Sequence, residues 1–247
     1  MESSAWLFQI LAALVYATVG VRLLRLALRG RELPEGLLGS YFVLTGISYT
    51  AYQLPMMLAV DAWYTPFAYA GRVVYAAGML PFLLFLRLVF HRGKRWAGWL
   101  AATSGLLLAA GLLGATAVGD YEGVSLDSGW FWLEWTGYTL PFAWLAWVAF
   151  GERRQALRRV RIGLTGPMLA NRYLLWAVFG AVQVAASVAL IPMYADYARH
   201  GVYSAWSDAL SGGLENLSLG VLWLVFFAPG LYRRWIEAGS PARAEAR

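Results

Sequence analysis

The sequence predicts an all-α membrane protein, a bundle of seven transmembrane helices with the N-terminus outside and the C-terminus in the cytoplasm. Three observations carry that expectation. Charged residues make up only 14% of the chain against 60% hydrophobic ones, with a mean hydropathy of +0.54. Seven apolar runs approach or exceed the ~20 residues a helix needs to cross a ~30 Å hydrocarbon core. The arginines gather at alternate ends of those runs. A soluble domain carries about 25% charged residues, because charge must cover its surface. The seven runs use nearly all of the 247 residues. A single domain spanning residues 1–247 is therefore expected, and its chemistry belongs to the bundle or its short loops.

The first predicted helix covers residues 5–27. Nothing positive precedes it, while Arg22, Arg25, Arg29 and Arg31 follow. A signal peptide has the reverse polarity, so the run is kept as a span. The second covers 37–59, after a turn marked by Pro34 and Gly36. The third covers 64–90 and ends in His91, Arg92, Lys94 and Arg95. The fourth, 96–118, carries Gly105, Ala109, Ala110, Gly111 and Gly114, with Ala110 and Gly114 in the small-xxx-small spacing that lets backbones approach. A loop with Asp120, Glu122 and Asp127 leads to the fifth, 130–150. The sixth covers 172–193, and the seventh covers 207–232, stopped by Arg233 and Arg234.

Orientation follows from the positive-inside rule. Eighteen of the 20 Lys and Arg residues fall at one set of ends, Arg72 and Arg199 being the exceptions. The opposite ends hold Glu2, Asp61, Asp120, Glu122, Asp127, Asp196 and Asp208. This asymmetry accounts for the net charge of +6 without a nucleic-acid partner. Trp63, Trp96, Trp99, Trp130, Trp132, Trp206 and Trp235 stand near predicted helix ends, where indoles anchor at the interface. Lys94 is the sole lysine against 19 arginines, a bias that points to a GC-rich bacterial genome. The expected location is thus the bacterial inner membrane, crossed several times.

The chain has no cysteine, and its two histidines, His91 and His200, lie outside the predicted spans. Disulfides and thiolate metal sites are excluded, and no metal-ligand spacing is found. The seventh helix has no lysine for a retinal Schiff base. No serine pairs with an intramembrane histidine in a nucleophile motif. Neither a cofactor nor an enzymatic activity is expected.

Function is sought in polar groups within the hydrocarbon. An ionised side chain at mid-helix costs about 2.5–3.5 kcal/mol, so it needs a partner or a purpose. Arg72, Glu134 and Glu215 are the candidates. At 1.5 Å per residue they lie about 12 Å, 6 Å and 12–15 Å from the outer end. The matched depths predict that Arg72 meets Glu215, with Glu134 as the competing partner. Tyr75, Tyr138, Gln53, Gln183 and Asn216 extend the set, and Gln9 and Tyr16 adjoin it. Together they predict an outward-facing polar cavity for a small amphipathic or anionic ligand, with Arg72 as the anion-binding donor, in a receptor or sensor. The alternative is a secondary transporter coupled to protons through Glu215 or Glu134. A plainer reading of the same residues is an ion pair and hydrogen bonds that fix helix packing. At the cytoplasmic face, Arg153, Arg154, Arg158, Arg159 and Arg161 are expected to dock anionic lipid or a cytoplasmic partner.

Overall fold

The computed structural model describes residues 2–58, 60–200 and 205–238, without the side chains of residues 2–9, Met56, Ala205 and Asp208. Of the residues named above, the side chains of Glu2, Gln9 and Asp208 lie outside this description, as does position 59. Among the described residues the regular structure is helical throughout: α1 (Glu2–Gly30), α2 (Leu33–Met57), a 3₁₀ turn (Asp61–Trp63), α3 (Tyr64–Phe90), α4 (Arg95–Ala117), α5 (Gly129–Arg161), α6 (Pro167–His200), α7 (Ala205–Phe227) and α8 (Gly230–Ala238).

Five segments are long and apolar enough to cross a membrane: Ile10–Gly30, Asp61–Phe90, Arg95–Ala117, Pro167–His200 and Ala209–Phe227. α2 and α5 match them in length, at 25 and 33 residues. Their hydropathy is lowered by residues such as Tyr41, Tyr49 and Tyr52 in α2 and Trp130, Trp132 and Trp135 in α5. The outer surface is apolar. Trp147 is 82% exposed, Trp99 75%, Leu106 70% and Leu113 67%. A soluble monomer rarely shows so much apolar surface, and a lipid-facing wall requires it.

The helices pack in chain order into a closed ring, each on the next, with α7 returning to α1 and α3 touching α5 as well as α4. Glycines let α4 and α5 meet backbone to backbone. A Cβ on Gly111 would lie 2.3 Å from the Glu134 backbone nitrogen, and one on Gly137 2.5 Å from that of Leu108. The close-packed face therefore runs through Gly111 and Gly114, while Ala110 is exposed.

Helix ends differ from the sequence expectation, most clearly at α5, α6 and the seventh helix. α5 continues from the apolar run through Arg161, and its end packs Ala156 and Val160 against Ala170 and Tyr173 of α6. Apolarity marks where a membrane would end, whereas a helix continues as long as its residues favour one. α6 extends to His200 for the same reason. The predicted seventh helix is in fact two elements. It stops at Phe227, because Pro229 has no N–H and disfavours helix at the residue before it. α8 then begins at Gly230 and leaves Leu231 and Trp235 78% and 70% exposed.

A circuit of aromatic rings crosses the bundle toward its basic end. Tyr41 stacks on Phe82 at 4.6 Å, Phe82 meets Phe142 at 5.3 Å, and Phe142 meets Phe179 at 6.1 Å. Phe179 meets Trp176 at 5.9 Å, Trp176 meets Phe226 at 5.8 Å, and Phe226 returns to Phe42 at 5.9 Å, beside Tyr41. Phe42, Phe82 and Phe179 are fully buried. Edge-to-face and offset contacts of this kind stabilise by about 0.5–1.5 kcal/mol each beyond the area they bury.

Candidate functional site

Two polar regions lie on the acidic side of the aromatic circuit. The first is ionic. Arg72 of α3 and Glu134 of α5 are both buried. Their side chains meet in a two-pronged contact, Nε donating to Oε1 at 3.3 Å and Nη2 to Oε2. Arg72 Nη1 donates to the carbonyls of Asp120 and Tyr121 at 2.8 and 2.7 Å. Four of the five N–H donors of a guanidinium are thus engaged.

Those carbonyls belong to the α4–α5 loop, which folds down onto Arg72. The Asp120 carboxylate accepts the backbone N–H groups of Gly123, Val124 and Ser125 at 2.8–3.3 Å and closes the loop on itself. Gly123 turns at φ +71°, and a Cβ there would lie 2.4 Å from the Arg72 guanidinium carbon. Only glycine fits both the backbone angle and the space. Thr65 donates to Glu122 at 2.9 Å and Tyr69 meets Tyr121 edge-on, fixing the same loop to α3.

The pairing of Arg72 corrects the sequence expectation. Its carboxylate partner is Glu134, not Glu215. Matched depth was a poor guide because α3 contacts α5 directly, and a long arginine side chain covers the difference of about one turn by reaching toward the acidic end. Arg72 is therefore occupied as a clip joining α3, α5 and the α4–α5 loop.

The second region is a tyrosine cluster deeper in the bundle. Gln183 of α6 donates to Tyr16 of α1 at 3.3 Å and to Ser218 of α7 at 3.2 Å, and Ser218 donates to the Glu215 carbonyl at 2.8 Å. Tyr16 and Tyr49 lie 5.5 Å apart, and Tyr75 and Tyr138 6.1 Å apart. Glu215 lies near Tyr16, Tyr49, Tyr75 and Tyr194. Tyr49, Tyr75, Tyr138, Tyr194 and Gln183 are each half-buried. Polar side chains that keep part of their surface accessible within a bundle are candidates to line a ligand cleft.

The expected site residues divide between these regions. Arg72 and Glu134 belong to the clip. Tyr75, Tyr138, Gln183 and Glu215 belong to the tyrosine cluster. Gln53 is half-buried on α2, and Asn216 turns its amide back onto the Gly212 carbonyl at 2.8 Å. Sequence reasoning missed Tyr49, Tyr194 and Ser218. The signal for Tyr49 was its helical spacing from Tyr41 and Tyr52 on α2. On the basic end of α5, Arg154 lies over the Phe150 ring at 4.6 Å, Arg158, Arg159 and Arg161 are exposed, and Arg153 is half-buried.

A smaller feature sits at the α3–α4 junction. His91 ends α3, its ring 4.4 Å from that of Trp96 and parallel to that of Trp144 at 5.7 Å. Burial beneath these indoles lowers the His91 pKa below its ordinary 6.5, with Lys94 pushing the same way and Glu152 opposing. No family model, curated protein or solved structure matches the chain.

Proposed function

We propose that this chain is a seven-span membrane receptor or sensor that takes a small amphipathic ligand into the tyrosine-lined cleft. The cluster of half-buried tyrosines with Gln183 and Glu215, above a closed aromatic circuit, supports this reading. Tyrosines suit an amphipathic ligand, since each offers an apolar ring and a hydroxyl that both donates and accepts. An anionic ligand is less favoured, because the donors of Arg72 are taken up within the clip.

The connections support a count of seven spans. α1 ends and α4 begins at the basic end, while α3 begins at the acidic end. α2 would then join α1 to α3, and α5 would join α4 to α6, across the thickness the five apolar helices define. The arginine asymmetry supports a cytoplasmic basic end in a bacterial inner membrane. There, α5 from Arg153 to Arg161 would dock anionic lipid or a signalling partner, and α8 would lie at the interface with Leu231 and Trp235 toward lipid.

The transporter reading keeps one supporting observation, a carboxylate at Glu215 among tyrosines, where a proton carrier would sit. A permeation path would have to pass the aromatic circuit, so we favour binding. The absence of cysteine allows a clean test. In intact cells an impermeant thiol reagent should label Ser125→Cys and Gln183→Cys but not Thr165→Cys. In inverted vesicles Thr165→Cys alone should react. Labelling of Gln183→Cys from both sides would favour alternating access, and labelling from neither would remove the open cleft.

A further inference from the structure

Two hollows adjoin on the lipid-facing surface at the basic end of α1. The first, about 570 Å³, lies between α1 and α7, with Ala17, Val21, Arg22, Arg25 and Phe227 in its wall. The second, about 380 Å³, is lined by Glu32 and Glu35, and shares Leu26 and Arg29 with the first. Together they form one groove whose chemistry changes along α1, from apolar through cationic to anionic.

The three arginines are spaced i, i+3, i+7, so one helix face carries them all. Arg22 donates to the Phe226 carbonyl at 3.2 Å and lies 4.7 Å over the Phe227 ring, which fixes the wall against α7. Arg25, Arg29 and Glu32 are exposed. Among the described residues, Arg25, Arg29, Glu32 and Glu35 make no ion pair with one another, and Glu35 Oε2 is buried in the groove wall without a hydrogen-bond partner. Opposite charges line a single groove without closing on each other.

We propose that this groove holds an ethanolamine phospholipid of the surrounding membrane. Its acyl chains would lie along Ala17, Val21 and Phe227, its phosphate at Arg25 and Arg29, and its primary ammonium at Glu32 and Glu35. The order of groups in the wall follows the order in the lipid: hydrocarbon, phosphodiester, ammonium. Arginine forks match phosphate oxygens, and carboxylates accept the N–H groups of a primary ammonium. A choline headgroup has no N–H to donate. A purely anionic headgroup would set its uncompensated charge beside two carboxylates. The carboxylates thus separate this groove from a plain basic patch.

The test uses the full-length protein in detergent, stripped of lipid. Phosphatidylethanolamine, phosphatidylcholine and phosphatidylglycerol with matched chains are added, and retained lipid is counted by native mass spectrometry alongside melting temperature. Phosphatidylethanolamine should be retained most and raise the melting temperature most. Arg25→Gln with Arg29→Gln should weaken its retention about tenfold or more, the scale of one lost charge-assisted contact. Glu32→Gln with Glu35→Gln should erase the preference over phosphatidylcholine while leaving retention in place. Arg92→Gln with Arg95→Gln removes equal charge elsewhere at the basic end and should change neither. Phosphatidylcholine or phosphatidylglycerol retained as well as phosphatidylethanolamine by the wild type would overturn the proposal without relying on any variant. An equal shift from soluble glycerophosphoethanolamine would also overturn it, as a free headgroup rather than a membrane lipid.

Discussion

The two polar regions of the bundle put their polar groups to opposite uses. In the clip, charge is matched to charge. Arg72 spends four donors on Glu134 and two loop carbonyls, and both side chains are buried. In the cleft the groups are mostly neutral tyrosines that stay half accessible, joined by a sparse chain from Tyr16 through Gln183 to Ser218. In this protein the buried charges form a structural joint, and the ligand proposal rests on the partly exposed neutral polar groups.

The largest effect expected from that contrast is on the clip. Removing one partner of a buried pair strands the other charge and typically costs 3–5 kcal/mol. Arg72→Ala should cost about that much in unfolding measured in detergent. Adding Glu134→Ala should recover part of the loss, because it removes the stranded carboxylate. Adding Glu215→Ala should give simple additivity. Coupling of Arg72 to Glu215 instead would break the division into two regions.

The next effect probes what positions the clip. Gly111→Ala drives a Cβ into the Glu134 backbone, which cannot move aside as a flexible side chain could. Overpacking of this kind costs about 1–3 kcal/mol. The shift of α5 should also reduce the Arg72–Glu134 coupling energy. By contrast Gly212→Ala, which meets open space, should be neutral or slightly stabilising.

A smaller loss is expected in the cleft. Tyr16→Phe removes an acceptor of Gln183, whose amide keeps Ser218. The cost should be about 0.5–1.5 kcal/mol, the net worth of one hydrogen bond. A loss as large as that of Arg72→Ala would make the cleft a second structural joint.

The smallest effect lies outside both regions, at His91. Its folded pKa is below its unfolded value, so the unfolded chain binds its proton first. Stability should be level above pH ~6.5 and fall as the pH drops from there toward the folded pKa. His91→Gln should flatten that part of the melting-temperature profile, where the chain's other histidine is His200.

Much of this organisation is legible in the sequence once helical spacing is followed inward from the acidic end. On α3 one face reads Arg72, Tyr75, Met79, Phe82, and on α5 it reads Glu134, Tyr138, Phe142. Each descends from charge through tyrosine to phenylalanine, and these three tiers are the clip, the cleft and the aromatic circuit. Depth along a helix could be estimated from the chain alone. Which helices are neighbours could not, so the partner of Arg72 was misassigned. The ends of α5 and α6 were missed because their outer turns are polar, and hydropathy detects a membrane rather than a helix. Pro229 was visible as a break, but the arginines after it read as the end of a span rather than as part of a separate short helix.

The most direct test of the account is an experimental density map of the protein purified from cells that express it. The account predicts enclosed density outside the polypeptide, bounded by Tyr49, Tyr75, Tyr138 and Gln183, with Arg72 turned away from it onto Glu134 and the α4–α5 loop. Tyrosines packed against one another with no enclosed space would contradict the cleft. An Arg72 swung inward to meet Glu215 would contradict the separation on which the functional reading rests.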